Sequence, residues 1–309
     1  MSSPQKMGSM RMMWTAIAVV LVAVFAFAGG YLVGTSQDKS APFTVVDDYG
    51  RTVTLDGVPQ RIVSVAPTPT EILFAVGAGS QVVGVDDYSD YPEAAKNLTK
   101  VGAFPLNPES IVALTPDLIV SSDLVPRAQL DALGIPYAIF ADRTLEDVFK
   151  TIRLAGVITG HVTQADNLAK NLSARAEAVT NKTLADGVSI PEVYVEYYPM
   201  WTYGPGSFGD DLIRLAGGEN IAAATSSEYP EVTSEFVIAK DPHVIVYTVG
   251  VMSTTTPETI AARSGWENIT AVEQGDIYSI DDNLLSRYGP RIVDGLEQLA
   301  EIIHPELFP

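Results

Sequence analysis

ESIVALTPDLIVSS (109–122) and EFVIAKDPHVIVYT (235–248) are two copies of one pattern, 126 positions apart. Glu, Ala, Pro, Ile and Val recur at matching offsets, and most other positions keep their apolar or polar class. In each copy a helix of little more than one turn stops before a proline, and an apolar, β-branched run follows that reads as a buried strand. A looser pair lies nearby. LFAVGAGSQVVGV (73–85) and LIRLAGGENIAAA (212–224) each read as a helix stopped by glycine and followed by a β-prone run. Two repeats of this kind imply two pseudo-symmetric α/β lobes.

Working outward, FTVVDDYGRTVTL (43–55) reads as a β-hairpin turning at Asp48-Tyr49-Gly50. Short strands at 61–67, 81–87, 117–122 and 136–142 then alternate with helices at 70–76, 109–114 and 126–133, the signature of a mainly parallel sheet. The alternation stops at 143. Thr144-x-x-Asp147 opens one helix, and Thr163-x-x-Asp166 opens a second, of about 19 residues and roughly 28 Å. Strands at 191–198, 243–249 and 276–281 follow, with helices near 210–216, 235–239 and 291–303. The expected architecture is α/β: two Rossmann-like lobes, 43–142 and 189–309, joined through a helical region, 143–188, that carries a single long spine helix.

The N-terminus is of a different kind. Residues 12–33, MMWTAIAVVLVAVFAFAGGYLV, are apolar apart from Thr15 and long enough to cross a bilayer. Lys6 and Arg11 precede the run and no basic residue follows before Lys39, so the positive-inside rule exports the remainder. The division expected is a cytoplasmic N-terminus (1–13), a transmembrane anchor or signal peptide (14–34) and a polar linker (35–42). The length of the run favours the anchor, whereas Ala26-Phe27-Ala28 resembles a signal-peptidase site. Four sequons, at Asn97, Asn171, Asn181 and Asn268, agree with export.

Composition excludes several function classes. A net charge of −19 excludes a phosphate-binding nucleic-acid surface and adhesion to anionic lipid. With no cysteine there is no disulfide, thiol nucleophile, iron–sulfur ligand or lipid-anchoring cysteine. His161, His243 and His304 stand in separate segments, so no dedicated metal site is expected. G-x-S-x-G, P-loop and H-E-x-x-H motifs are missing, as is G-x-G-x-x-G after the first strand, so no enzyme is expected.

The stretch RIVSVAPTPTEILFAVGAGSQVVGVDDYSDYPEAAKNLTKVGAFPLNPESIVALTPDLIV (61–120) resembles class III periplasmic binding proteins, which serve ABC importers of cobalamin, ferric siderophores and haem. YSDYP (88–92), GGENI (217–221) and SRYGPRI (286–292) resemble the cobalamin-binding branch most. The resemblance spans residues 43–305 and implies a monomer that closes only slightly on its ligand, because one helix is stiffer than paired strand hinges. It implies a cobalt corrinoid as ligand and no resident cofactor, with a ferric siderophore or haem as the alternative ligand and a permease dimer as partner. A surface sensory or adhesive module is the further alternative for the chain.

On the matching positions, Glu109 and Glu235 become the residues that dock onto permease arginines. From the residues alone, each is the second residue of its helix and complements the helix dipole. Tyr88, Phe104, Trp201 and Tyr229 match aromatic positions of the ligand cleft, and Asn283 and Arg287 match cleft positions before the last helix. Tryptophan is common where Phe104 and Tyr229 stand, and an acid where Asn283 stands. Arg287 with Tyr88, Tyr203 and Tyr229 would also suit an anionic ferric complex.

Overall fold

The computed structural model describes residues 41–250 and 255–309. The expected N-terminal tail and apolar span lie outside the described residues.

Strands β1 (Phe43–Val46) and β2 (Thr52–Leu55) form the antiparallel hairpin. Its turn is built by Asp47, whose buried carboxylate accepts the backbone N–H groups of Tyr49 and Arg51 at 3.1 and 2.9 Å. The other carboxylate oxygen accepts the Ile139 N–H at 3.2 Å and ties the hairpin to the first lobe.

That lobe runs β3 (Ile62–Ser64), α1 (Pro67–Ala75), β4 (Val82–Val85), β5 (Thr99–Lys100), α2 (Pro108–Ala113), β6 (Leu118–Ser122), α3 (Arg127–Asp131) and β7 (Tyr137–Phe140). The strands make one parallel sheet in the order β5-β4-β3-β6-β7. β3, β6 and β7 are buried throughout, which is why they read as continuous apolar runs instead of alternating ones.

Helix α4 (Leu145–Thr159) starts at the expected capping box, Thr144 with Asp147, and ends at Gly160 with φ 77°. The spine, α5 (Val162–Thr183), is one unbroken helix of 22 residues, about 33 Å long. It buries Ala165, Ala169, Leu172, Ala176, Val179 and Thr183, a single stripe at helical spacing. Small residues let it pack close: a Cβ on Gly156 of α4 would lie 2.3 Å from that of Ala165.

The second lobe runs β8 (Glu192–Tyr198), β9 (Trp201–Thr202), α6 (Phe208–Leu215), β10 (Glu219–Asn220), α7 (Ser234–Lys240), β11 (Val244–Val249), α8 (Pro257–Ala261), α9 (Thr270–Gln274), β12 (Ile277–Asp281), α10 (Asn283–Ser286) and α11 (Ile292–Ile303). Its parallel order is β10-β8-β11-β12, with β9 folded back antiparallel on β8. The order β4-β3-β6-β7 of the first lobe thus reappears as β10-β8-β11-β12. The sequence repeat falls on α2–β6 and α7–β11. Its seventh residues, Thr115 and Asp241, both take left-handed backbone, φ 45° and 46°, immediately before a proline that disfavours the right-handed helical region.

Burial follows the strand period. Ile62, Leu118 and Val120 of one sheet and Val193, Val195 and Val246 of the other feed a shared core that runs through α4, α5 and α11. The alternate residues close two smaller cores on the outer faces: Val63 and Ile119 in the first lobe, Tyr194 and Ile245 in the second. The lobes therefore share apolar packing as well as the spine.

Candidate functional site

The carboxyl ends of both parallel sheets open onto one cavity of about 750 Å³. This is where an open α/β sheet binds ligands, because the loops leaving the strands there can vary without disturbing the core. The volume lies within the roughly 300–1,000 Å³ of small-molecule sites. From the first lobe, Ala66 and Pro67 follow β3, Tyr88 and Asp90 follow β4, Ser122 ends β6 with Asp123 and Leu124 after it, and Asp142 and Arg143 follow β7. The second lobe supplies Phe208 from the start of α6, Tyr229, Gly250 after β11, and Asp282, Asn283 and Ser286 to Tyr288 after β12.

Four of the seven expected ligand residues, Tyr88, Tyr229, Asn283 and Arg287, come together on this cavity. Three do not line it. Tyr203 is 4 % exposed and lies beneath the wall, its ring 5.1 Å from Tyr197 and 6.3 Å from Tyr229 and flat against Gly209, where a Cβ would stand 2.2 Å away. Phe104 is exposed in the loop after β5. Trp201 is held in β9, paired with Tyr198 and bridged to Glu231. The wall instead carries Tyr288, stacked on Phe208 at 4.2 Å, with its hydroxyl 3.2 Å from that of Tyr229.

Arg287 is held by protein carboxylates. One of its guanidinium nitrogens donates to Glu71 Oε1 at 3.1 Å and to Asp90 Oδ1 at 2.6 Å. Arg291 adds a bidentate grip on Glu71, at 2.9 and 2.6 Å, and lies 4.0 Å over the Tyr91 ring. The Glu71 side chain is 1 % exposed, so a buried carboxylate from α1 holds two arginines from the opposite lobe. Partial burial opposes ionisation of Asp90, yet the hydrogen bond and charge of Arg287 hold it below the usual carboxylate range. The other lining arginine, Arg143, spans Asp123 at 3.8 Å and Glu228 at 3.5 Å.

Four aspartates line the cavity against these two arginines. Burial raises the Asp282 carboxyl above its ordinary range. Burial, reinforced by the charge of Asp48, pushes Asp142 up to about 7, with its Oδ1 2.5 Å from Thr151 Oγ1.

Sequence reasoning missed Glu71, Asp142, Ser122, Tyr288 and Arg291. The strand-end rule would have found Ser122 and Asp142, which end DLIVSS and PYAIFAD. Nothing local marks Glu71, which sits in an ordinary helical run, TEILFA.

Glu109 and Glu235 stand at equivalent places. Asn107 caps α2 by accepting the Ser110 N–H at 3.1 Å, and Thr233 caps α7 by accepting the Phe236 N–H at 3.2 Å. Each glutamate is exposed on the first turn of its helix and neither borders the cavity. Bonds from its own backbone N–H and from Thr233 hold the Glu235 carboxyl below its ordinary value.

A profile of the periplasmic binding protein family matches residues 62–284. The chain is a periplasmic binding protein. It is 31 % identical to an ABC transporter substrate-binding lipoprotein of Bacillus subtilis, over 94 % of this chain and 97 % of the relative. It is 29 % identical to a cobalamin-binding protein of Halobacterium salinarum, over 86 % of this chain and 75 % of the relative. Among solved structures it resembles a periplasmic haem-binding protein from Roseiflexus, at a TM-score of 0.72 and 30 % identity, over 80 % of this chain and 99 % of the other. This binding protein is the non-catalytic solute-binding component of an ABC importer, and it delivers its solute to a permease.

Proposed function

We propose that this binding protein captures a cobalt corrinoid between its lobes. The observation that carries the reading is that both lining arginines are already paired, Arg287 with Glu71 and Asp90 and Arg143 with Asp123 and Glu228. An anionic chelate needs free guanidinium groups, and here it would also meet an excess of aspartates. A corrinoid is a large, flat, partly apolar body with neutral amide arms. Tyr88, Tyr229 and Tyr288 offer it aromatic faces and hydroxyls, and Asn283 offers an amide. The cobalamin-binding relative supports the same reading. The test is incubation of the full-length protein, in detergent, with cyanocobalamin, followed by desalting. Retained visible absorbance is expected; loss of the colour by a protein that retains haem or a ferric siderophore overturns the reading.

Haem is the second reading, favoured by the paired phenols of Tyr229 and Tyr288 and by the haem-binding structural relative. Burial and the bond to Tyr229 raise the Tyr288 phenol above its ordinary range, which opposes the phenolate an iron ligand requires.

Within this reading, Glu109 and Glu235 form the docking pair for the permease dimer, and the protein acts as a monomer. The body works outside the cytoplasm, held by the apolar run at 14–34. The Bacillus relative is named a lipoprotein, whereas this chain has no cysteine to carry a lipid. The sequon asparagines 97, 171, 181 and 268 are all exposed, as glycan attachment requires.

A further inference from the structure

We propose, on the corrinoid reading above, that Asp142 and Ser122 form an amide-reading subsite in the cleft wall, accepting ligand N–H donors and refusing ligand carboxylates. Asp142 is 7 % exposed and Ser122 8 %, and both border the cavity. Asp142 Oδ2 and Ser122 Oγ are buried and have no hydrogen-bond partner; of the four such side-chain atoms among the described residues, these two belong to residues that line the cavity. Buried polar atoms are rarely left this way, and a pair of them on residues that line a ligand-sized cleft calls for a partner that the ligand supplies as it seats against the wall.

Proton counting shows which kind of partner. Thr151 Oγ1 lies 2.5 Å from Asp142 Oδ1 and 2.9 Å from Asp48 Oδ2. One hydroxyl has one hydrogen to donate, so a carboxyl O–H must supply the second bond. Burial raises the Asp48 carboxyl too, but Asp48 also accepts the Ala141 N–H at 3.2 Å, a second donor that Asp142 lacks and that favours the charged form. Asp142 is buried and feels the negative charges of Asp48, Asp147 and Asp123. The proton therefore belongs on Asp142 Oδ1, donated to Thr151, which in turn donates to Asp48. That leaves Asp142 Oδ2 as a carbonyl oxygen, able only to accept. Ser122 Oγ can accept as well. A primary amide brings N–H donors to such a site. A carboxylate brings none to Asp142 and meets Asp123 beside it on the wall.

The test compares cyanocobalamin with a derivative whose amide arms have been hydrolysed to carboxylates, on full-length protein in detergent, with thermal stability measured on every variant. The parent should prefer the amide form by about tenfold or more, and Asp142→Ala should lose about 5- to 10-fold of that affinity, the share of one neutral hydrogen bond. Asp142→Asn should bind within about threefold of the parent, since its amide nitrogen can donate to Thr151 and its carbonyl can face the ligand. Ser122→Ala removes one hydroxyl, should lose a few-fold, and decides the matter if Asp142→Ala does not fold. A parent that takes up neither corrinoid overturns the corrinoid reading and the subsite with it. A parent that binds cyanocobalamin while Asp142→Ala and Ser122→Ala bind it equally well overturns the subsite alone. Loss of binding in Asp142→Asn equal to that in Asp142→Ala overturns the neutral-acceptor assignment.

Discussion

Glu71 and Arg291 belong to opposite lobes, yet two guanidinium nitrogens meet the two carboxylate oxygens at 2.9 and 2.6 Å. Arg287 shares the same carboxylate. The Glu71 side chain is 1 % exposed and the two arginine side chains 13 % and 18 %. Such a cluster is costly to desolvate but far costlier to break by removing one partner. Glu71→Ala should destabilise the protein by about 3–5 kcal/mol, because two partly buried arginines lose their counter-charge. Chemical denaturation measures this. A loss below about 1 kcal/mol would show the arginines finding water or other acids without cost.

The lobes share a core and a continuous α5, so ligand should change their separation by only a few ångströms, unlike hinge closure. Small-angle scattering with and without cyanocobalamin checks this. A large contraction in radius of gyration would mean that α5 bends or the shared core opens.

Asp142 gives stability a pH dependence of known sign. Its carboxyl titrates near 3.8 in the unfolded chain and near 7 in the folded one. Between those values the unfolded state has lost the proton and the folded state keeps it. Stability contributed by this group therefore falls as pH rises from about 4 to about 7, then levels off. Asp142→Asn removes the titration. Its stability relative to the parent should climb across that window by on the order of 2–4 kcal/mol. A difference that stays flat from pH 4 to pH 8 would mean that Asp142 ionises normally in the fold.

Glu109 and Glu235 should act in transport and not in binding, since both are exposed and neither borders the cavity. Reversing both, Glu109→Arg with Glu235→Arg, sets like charge against like charge at a basic docking surface and costs up to several kcal/mol of docking energy. Ligand affinity should stay at the parental value while uptake through the permease is lost. Unimpaired uptake, with a small fall in melting temperature, would leave the two acids only their helix-dipole role.

What the sequence by itself determined was set by neighbours along the chain. The apolar runs of β3, β6 and β7, the capping box at Thr144 and Asp147, the helical stripe of α5 and the repeat on α2–β6 and α7–β11 are local patterns, each legible within about twenty residues. The two-residue strands β5 and β9 escaped because they are too short to show a period. The tertiary structure decided which side chains share the cleft. It brought Arg287 and Arg291 to Glu71 across more than 200 residues, placed Tyr203 under the wall instead of on it, and buried Asp142 at a strand end among other acids. Burial and pairing are properties of surfaces that meet from distant parts of the chain. A charge in TEILFA or PYAIFAD reads the same whether it will face water or another lobe, and only the packing of the two lobes distinguishes them.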